Sequence, residues 1–132
     1  MAQNVLQFDY EKILGQRLAG TCGIGAIRRS GGGTCFEILE LIFDRGVLRI
    51  SVTKDTDELI VSYSDVLPSS LRKGNAVAGF ERYMGREIGW CWVGTNYRGY
   101  KDSVTISFSG LEPSLLLLAE GSTIGLLRVT AI

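Results

Sequence analysis

Carboxylates, tyrosines and amines must carry whatever chemistry this chain performs, because it contains no histidine. Without imidazole there is no Ser-His or Cys-His nucleophile, no histidine general base and little scope for catalytic zinc. Carboxylate, lysine and tyrosine chemistry stays open. Glycoside hydrolysis needs two acids facing a cleft. Glu37, Glu40, Glu58, Glu87 and Asp102 all fall on expected strands, but spacing singles out no pair. Glu40 is the most informative, since it interrupts an otherwise apolar run. Once buried, it requires a hydrogen bond or an arginine. A carboxylate-dependent hydrolase is therefore one alternative, with Glu40, Glu58 and Asp102 as the residues to test.

Two other stretches invite a ligand. KDTDE (residues 54–58) places the acids Asp55, Asp57 and Glu58 within four positions. A calcium loop needs a longer ordered series of oxygen donors closed by a glutamate, which is missing here. The stretch reads as a charged hairpin turn. Its functional version is an acidic patch for a basic protein partner rather than a cation site. AGTCGIGAIRRSGGG (residues 19–33) resembles a nucleotide loop only in its glycines. Arg28 stands where a dinucleotide fingerprint needs glycine, no Gly-Lys-Ser/Thr occurs, and no helix follows to meet a phosphate. Neither a cofactor nor a metal is expected.

Residues 90–102 read WCWVGTNYRGYKD. On a strand, Ile88, Trp90 and Trp92 fall on one side, and Gly89, Cys91 and Val93 on the other. Burying one such aromatic stabilises a fold by about 2–3 kcal/mol, so the expected role of both tryptophans is core packing. The alternative is that Trp90 and Trp92 line the pocket of a small-molecule-binding barrel. Asn96, Tyr97, Arg98 and Gly99 have the composition of a hairpin tip. Tyr97, Arg98 and Tyr100 project from it, and such side chains on a rigid turn suit a protein interface. Asp102 pairs with Arg98 or caps the turn.

These residues need strands to position them, and the two-residue period supplies them. LAGTCGIGAIRR alternates loosely through Leu18, Cys22, Ile24 and Ala26. CFEILELIFD is apolar on both faces and reads as a central strand, with a bulge shifting its inward face. VLRISVTK alternates cleanly, with Leu48, Ile50 and Val52 inward. ELIVSYS follows. Residues 65–85 break the pattern, with Phe80 and Met84 four apart to cover one end of the core. Strands resume at 87–93, 100–109, 114–119 and 123–130. A short N-terminal helix is expected from Phe8, Tyr10, Ile13 and Leu14, with Asp9 near its cap and Gly15 as its stop. The expected fold is mainly β, with α+β as its variant: an antiparallel sandwich or partly open barrel of about eight strands. Two hairpin-rich halves, divided by residues 65–85, suggest two packed sheets.

At 132 residues, 45 % of them hydrophobic and 21 % charged, the chain has the size and composition of a single β-rich domain, residues 1–132. Fourteen acids balance fourteen bases, so nothing draws it generally to nucleic acid or an anionic membrane. No apolar run approaches a membrane span, and the first residues do not form a secretory signal. Cys22, Cys35 and Cys91 are odd in number and lack metal-ligand spacing. Buried reduced thiols are expected, and with them a cytoplasmic location, although a Cys22–Cys35 bridge across a hairpin stays open. The last strand, ending LLRVTAI, is expected at a sheet edge, which leaves a homodimer through that edge open along with a monomer.

Three stretches together resemble a family of small bacterial domains of unknown function: DTDELIV, IGWCWVGTNYRGYKDSVTISF and AEGSTIGLLRV. Trp90, Trp92, Asn96, Gly99, Tyr100 and Asp102 carry most of that resemblance, which covers most of the second half and part of the first. The family implies no activity, and some domains of this style resemble immunity proteins that neutralise toxins. The functional expectation is a non-enzymatic cytoplasmic protein-binding domain, in its concrete form immunity-like. Its contact surface comprises Tyr97, Arg98 and Tyr100 with Asp55, Asp57 and Glu58.

Overall fold

Side chains that alternate between grease and water build ribbons with one dry face, and two such ribbons close on each other here. The computed structural model describes residues 10–28, 34–65, 77–110 and 113–129. Within them run β1 (Leu18–Ile24), β2 (Ile27–Arg28), β3 (Thr34–Cys35), β4 (Ile38–Phe43), β5 (Val47–Thr53), β6 (Glu58–Ser64), β7 (Ile88–Thr95), β8 (Lys101–Phe108), β9 (Leu115–Glu120) and β10 (Thr123–Arg128). One four-stranded sheet has the order β1-β4-β5-β6, and the other β10-β9-β8-β7. All pairings are antiparallel. The expected sandwich is present, and β2 paired with β3 adds the two short strands that alternation is too brief to announce.

The core lies between the sheets. Leu39, Leu41 and Phe43 of β4, Leu48 and Ile50 of β5, and Leu59 and Val61 of β6 face Val104 and Ile106 of β8, Leu115 and Leu117 of β9 and Ile124 of β10. β4 is central, as its two apolar faces require. Backbone bonds also stitch the sheets together at two corners. Leu18 N donates to Arg86 O (2.9 Å) and Gly85 N to Leu18 O (2.8 Å). Phe36 N donates to Ile124 O (3.0 Å), and Ile124 N returns a bond to Phe36 O (2.6 Å). The barrel does not close; the second corner instead covers the start of β10, the expected edge strand.

Two local expectations are corrected. The N-terminal helix is, among the described residues, one 3-10 turn over Tyr10–Ile13, ended by Gly15 at φ +78°. Phe8 and Asp9 lie outside the described residues. So short a segment cannot repay the entropy of nucleating an α-helix, and it is held by tertiary contacts. Ile13 is fully buried, and buried Gln16 donates to Lys12 O and Tyr63 Oη while accepting from Arg45 N. Second, Phe80 does cover the end of the core, but Met84 is exposed and Tyr83 takes its place. Glu81–Tyr83 is also a 3-10 turn. Its three-residue period brings position i+3, not i+4, over Phe80.

Candidate functional site

The face each tryptophan occupies is set two residues earlier. Between Ile88 and Trp90 the register of β7 on β8 slips, so that Ile88 pairs with Phe108 but Trp90 with Ser107. Glycine is required at the slip, because a Cβ on Gly89 would collide with the backbone of Gly110. Ser107, fully buried, donates its hydroxyl to Gly110 O and fixes that approach. One inserted residue inverts the strand. Ile88, Cys91 and Val93 pack on the core, and Trp90 and Trp92 point outward, 48 % and 36 % exposed. The core expectation for the tryptophans is therefore corrected, and so is the pocket reading, because they stand outside the sandwich. Burial pushes the inward Cys91 thiol up to about 12.

Outward neighbours extend this surface across the whole sheet. In register, Trp92 pairs with Thr105, Thr105 with Leu116, and Leu116 with Leu127, which is 53 % exposed. Leu118 and Ser103 stand in the next row. No charged side chain occupies these two rows, and Glu120 stands on the same face beyond them. Outer faces of antiparallel sheets are ordinarily polar, so an apolar row spanning four strands is a marked surface.

At the end of the same hairpin the chain turns at residues 96–99. Gly99 N donates to Asn96 O (3.0 Å), and Gly99 takes the left-handed conformation at φ +86°. The Asn96 side chain accepts from Arg98 N (2.9 Å) and Tyr100 N (3.1 Å), and donates to Asp102 Oδ2 (3.3 Å). Asp102 thus caps the turn through Asn96. Internal bonding of the turn leaves Tyr97 free to project, at 96 % exposure, and the Arg98 guanidinium sits 5.9 Å from the Tyr100 ring centre.

The acids of the neighbouring turn are used differently. Asp57 accepts from Ser122 N (2.7 Å), and Glu58 accepts from Lys101 N (3.2 Å) and from the Thr56 hydroxyl (2.9 Å). They fasten the β5–β6 turn to the other sheet and set it beside the foot of the Asn96 turn. Of the three expected acids, Asp55 is exposed, while Asp57 and Glu58 are half-buried and engaged in these bonds. Glu40 lies on the outer face of the first sheet, opposite Cys22 and Arg49. It is 3 % exposed and accepts a hydrogen bond from the Cys22 thiol. Burial first, and then the adjacent carboxylate, raise that thiol above its ordinary range. Cys22, Cys35 and Cys91 are free, so the open question of a Cys22–Cys35 bridge is answered. Glu40, Glu58 and Asp102 are dispersed among three separate hydrogen-bonding duties, and among the described residues no three potential metal ligands converge.

Comparison adds one finding to this geometry. A family model described as a family of unknown function, DUF6334, matches residues 1–132. The chain belongs to the DUF6334 family. The expected family of unknown function is thus met over the full length. No curated protein and no solved structure matches this DUF6334 chain. No helix of its described residues is long and apolar enough to cross a membrane.

Leu116, Leu118 and Leu127 escaped the sequence reading as surface residues of this DUF6334 domain. The signal was there: β9 begins with four successive leucines, which is the pattern of a strand with apolar contact on both faces.

Proposed function

We propose that this domain is a non-enzymatic protein-binding module whose contact surface is the outer face of the β7–β10 sheet, with Trp90 and Trp92 as anchors and Tyr97 and Arg98 at its rim. The observation that carries the reading is the exposure of both tryptophans beside an outward row, Trp92, Thr105, Leu116 and Leu127, that holds no charged side chain. Together they present about 200 Å² of aromatic surface, worth about 5 kcal/mol if a partner covers it. Tryptophan, tyrosine and arginine are the residues that dominate binding energy in protein interfaces. Three free thiols fit a reducing compartment, so the cytoplasm belongs to this proposal. In its concrete, immunity-like form the partner is a protein toxin that the domain neutralises by covering it.

The test begins with capture from a lysate of its own cell, followed by purification of the captured protein and measurement of its Kd. Replacing Trp90 and Trp92 by serine weakens that Kd by at least about 100-fold, a loss of about 2.7 kcal/mol. An unchanged Kd removes the assignment. For the immunity-like form, co-expression with the captured protein relieves its toxicity, and the double variant does not.

A further inference from the structure

At the opposite end of the sandwich from the Asn96 turn, where the approach to β1 meets the approach to β7, lies an open cleft of about 500 Å³. Its walls include Arg17, Gly85, Arg86, Glu87, Ser109 and Gly110. Arg17 and Glu87 are directly opposed in an antiparallel bridge, which places both side chains on one side of the pair. Even so, no ion pair joins them. Within the described residues the side chains of Arg17, Arg86, Glu87 and Ser109 have no hydrogen-bonding or ionic partner. Gly85, Gly89 and Gly110 line the cleft with bare backbone, and Gly89 and Gly110 approach too closely to admit a Cβ on Gly89. Ser109, beside Gly110, holds a left-handed φ of +60°, a conformation that a non-glycine residue adopts at a cost.

We propose that this cleft binds the zwitterion of a free amino acid. Two guanidinium forks present paired N–H donors to a carboxylate. The Glu87 carboxylate accepts from the ammonium group that stands one carbon away, and the Ser109 hydroxyl adds a neutral contact. Glu87 also sets the selectivity: it repels a dianion such as phosphate and leaves an acylated amine without its ionic partner. The bare glycine lining lets the small charged end of the ligand approach the backbone. A volume of about 500 Å³ lies within the range of small-molecule sites. Gly89 of the cleft adjoins Trp90 along the chain, but no tryptophan lines the cleft, so this proposal rests on other side chains than the protein-binding face does.

Amide NMR titration of the full chain decides the matter, with L-alanine, N-acetyl-L-alanine and inorganic phosphate as probes. L-Alanine shifts the amides of Gly85, Gly89, Ser109 and Gly110 saturably in the low millimolar range, and the two other probes bind about tenfold more weakly or less. Arg86→Ala and Glu87→Gln each lower L-alanine affinity by about tenfold, and Glu87→Gln also narrows its advantage over the N-acetyl compound. Both positions are exposed, so the variants keep the fold. Absence of saturable shifts at these amides overturns the proposal. Stronger binding of phosphate, or equal binding of N-acetyl-L-alanine, overturns the zwitterion assignment.

Discussion

Two groups of aromatic residues flank the β7–β8 hairpin and serve opposite faces. Phe80, Tyr83 and Phe108 close the core at one end: Tyr83 stacks on Phe108 at 4.5 Å between ring centres, and Phe80 meets Phe108 edge-on at 6.4 Å. Trp90 and Trp92 stand on the outside of the same hairpin, half in water. The chemistry of the side chains is similar, and the difference is the phase of the strand that carries them. Ile88, before the Gly89 slip, faces inward with the buried cluster; the tryptophans, after it, face out. Hydrophobicity therefore marks stabilising residues only where the backbone aims them at the core. Elsewhere it marks a surface awaiting cover.

This contrast is most exposed to test at Phe80. Phe80→Ala removes a fully buried ring and lowers unfolding free energy by about 3–5 kcal/mol in denaturant titration. A loss below about 1 kcal/mol would mean that the buried trio does not close the core. Next in size is the hinge of the comparison itself. Gly89→Ala forces a methyl group into the Gly110 backbone and costs about 1–3 kcal/mol, read in the same way.

Alkaline pH probes the inward face of β7. The Cys91 thiol ionises near about 12 in the folded protein and at 9.0 in the unfolded chain. Below pH 9.0 both states hold the proton and the thiol's contribution is constant. Above it the unfolded state binds fewer protons, so stability falls as pH rises toward about 12, by up to about 1.4 kcal/mol per pH unit. Cys91→Ala flattens this slope relative to the parent chain, and an unaltered slope would place the thiol in water. The smallest effect belongs to the outer face. Replacing Trp90 and Trp92 together by serine changes unfolding free energy by less than about 1 kcal/mol. In the parent chain, acrylamide quenches both indoles without unfolding it. A large stability loss, or resistance to quenching, would merge the two aromatic groups into one core and break the comparison.

The strands were legible because their residues alternate without outside help. β5 carries Leu48 and Ile50 into the core and Arg49 into water, and no distant contact is needed to read it. The turns at residues 54–57 and 96–99 were legible too, from acids, asparagine and glycine whose local bonding sets the backbone. The faces of the tryptophans were not, because alternation was carried through Gly89, the extra residue of β7 at a slip that Ser107 and Gly110 hold in place. The fate of Asp57 and Glu58 was equally hidden. Acids on a turn look available to a partner until Ser122 and Lys101 arrive from the other sheet and claim them.

By itself the sequence determined the β class, nearly every strand and the exclusion of histidine chemistry. Those depend on side-chain type and on a period fixed by the geometry of the strand. Tertiary structure alone decided which residues face out, which acids are already bonded, that Glu40 rests against a thiol, and that Arg17 and Glu87 share a cleft with Arg86. Each of those joins residues distant along the chain, and pairing across such distances is set by the packing of whole sheets, to which no local stretch has access.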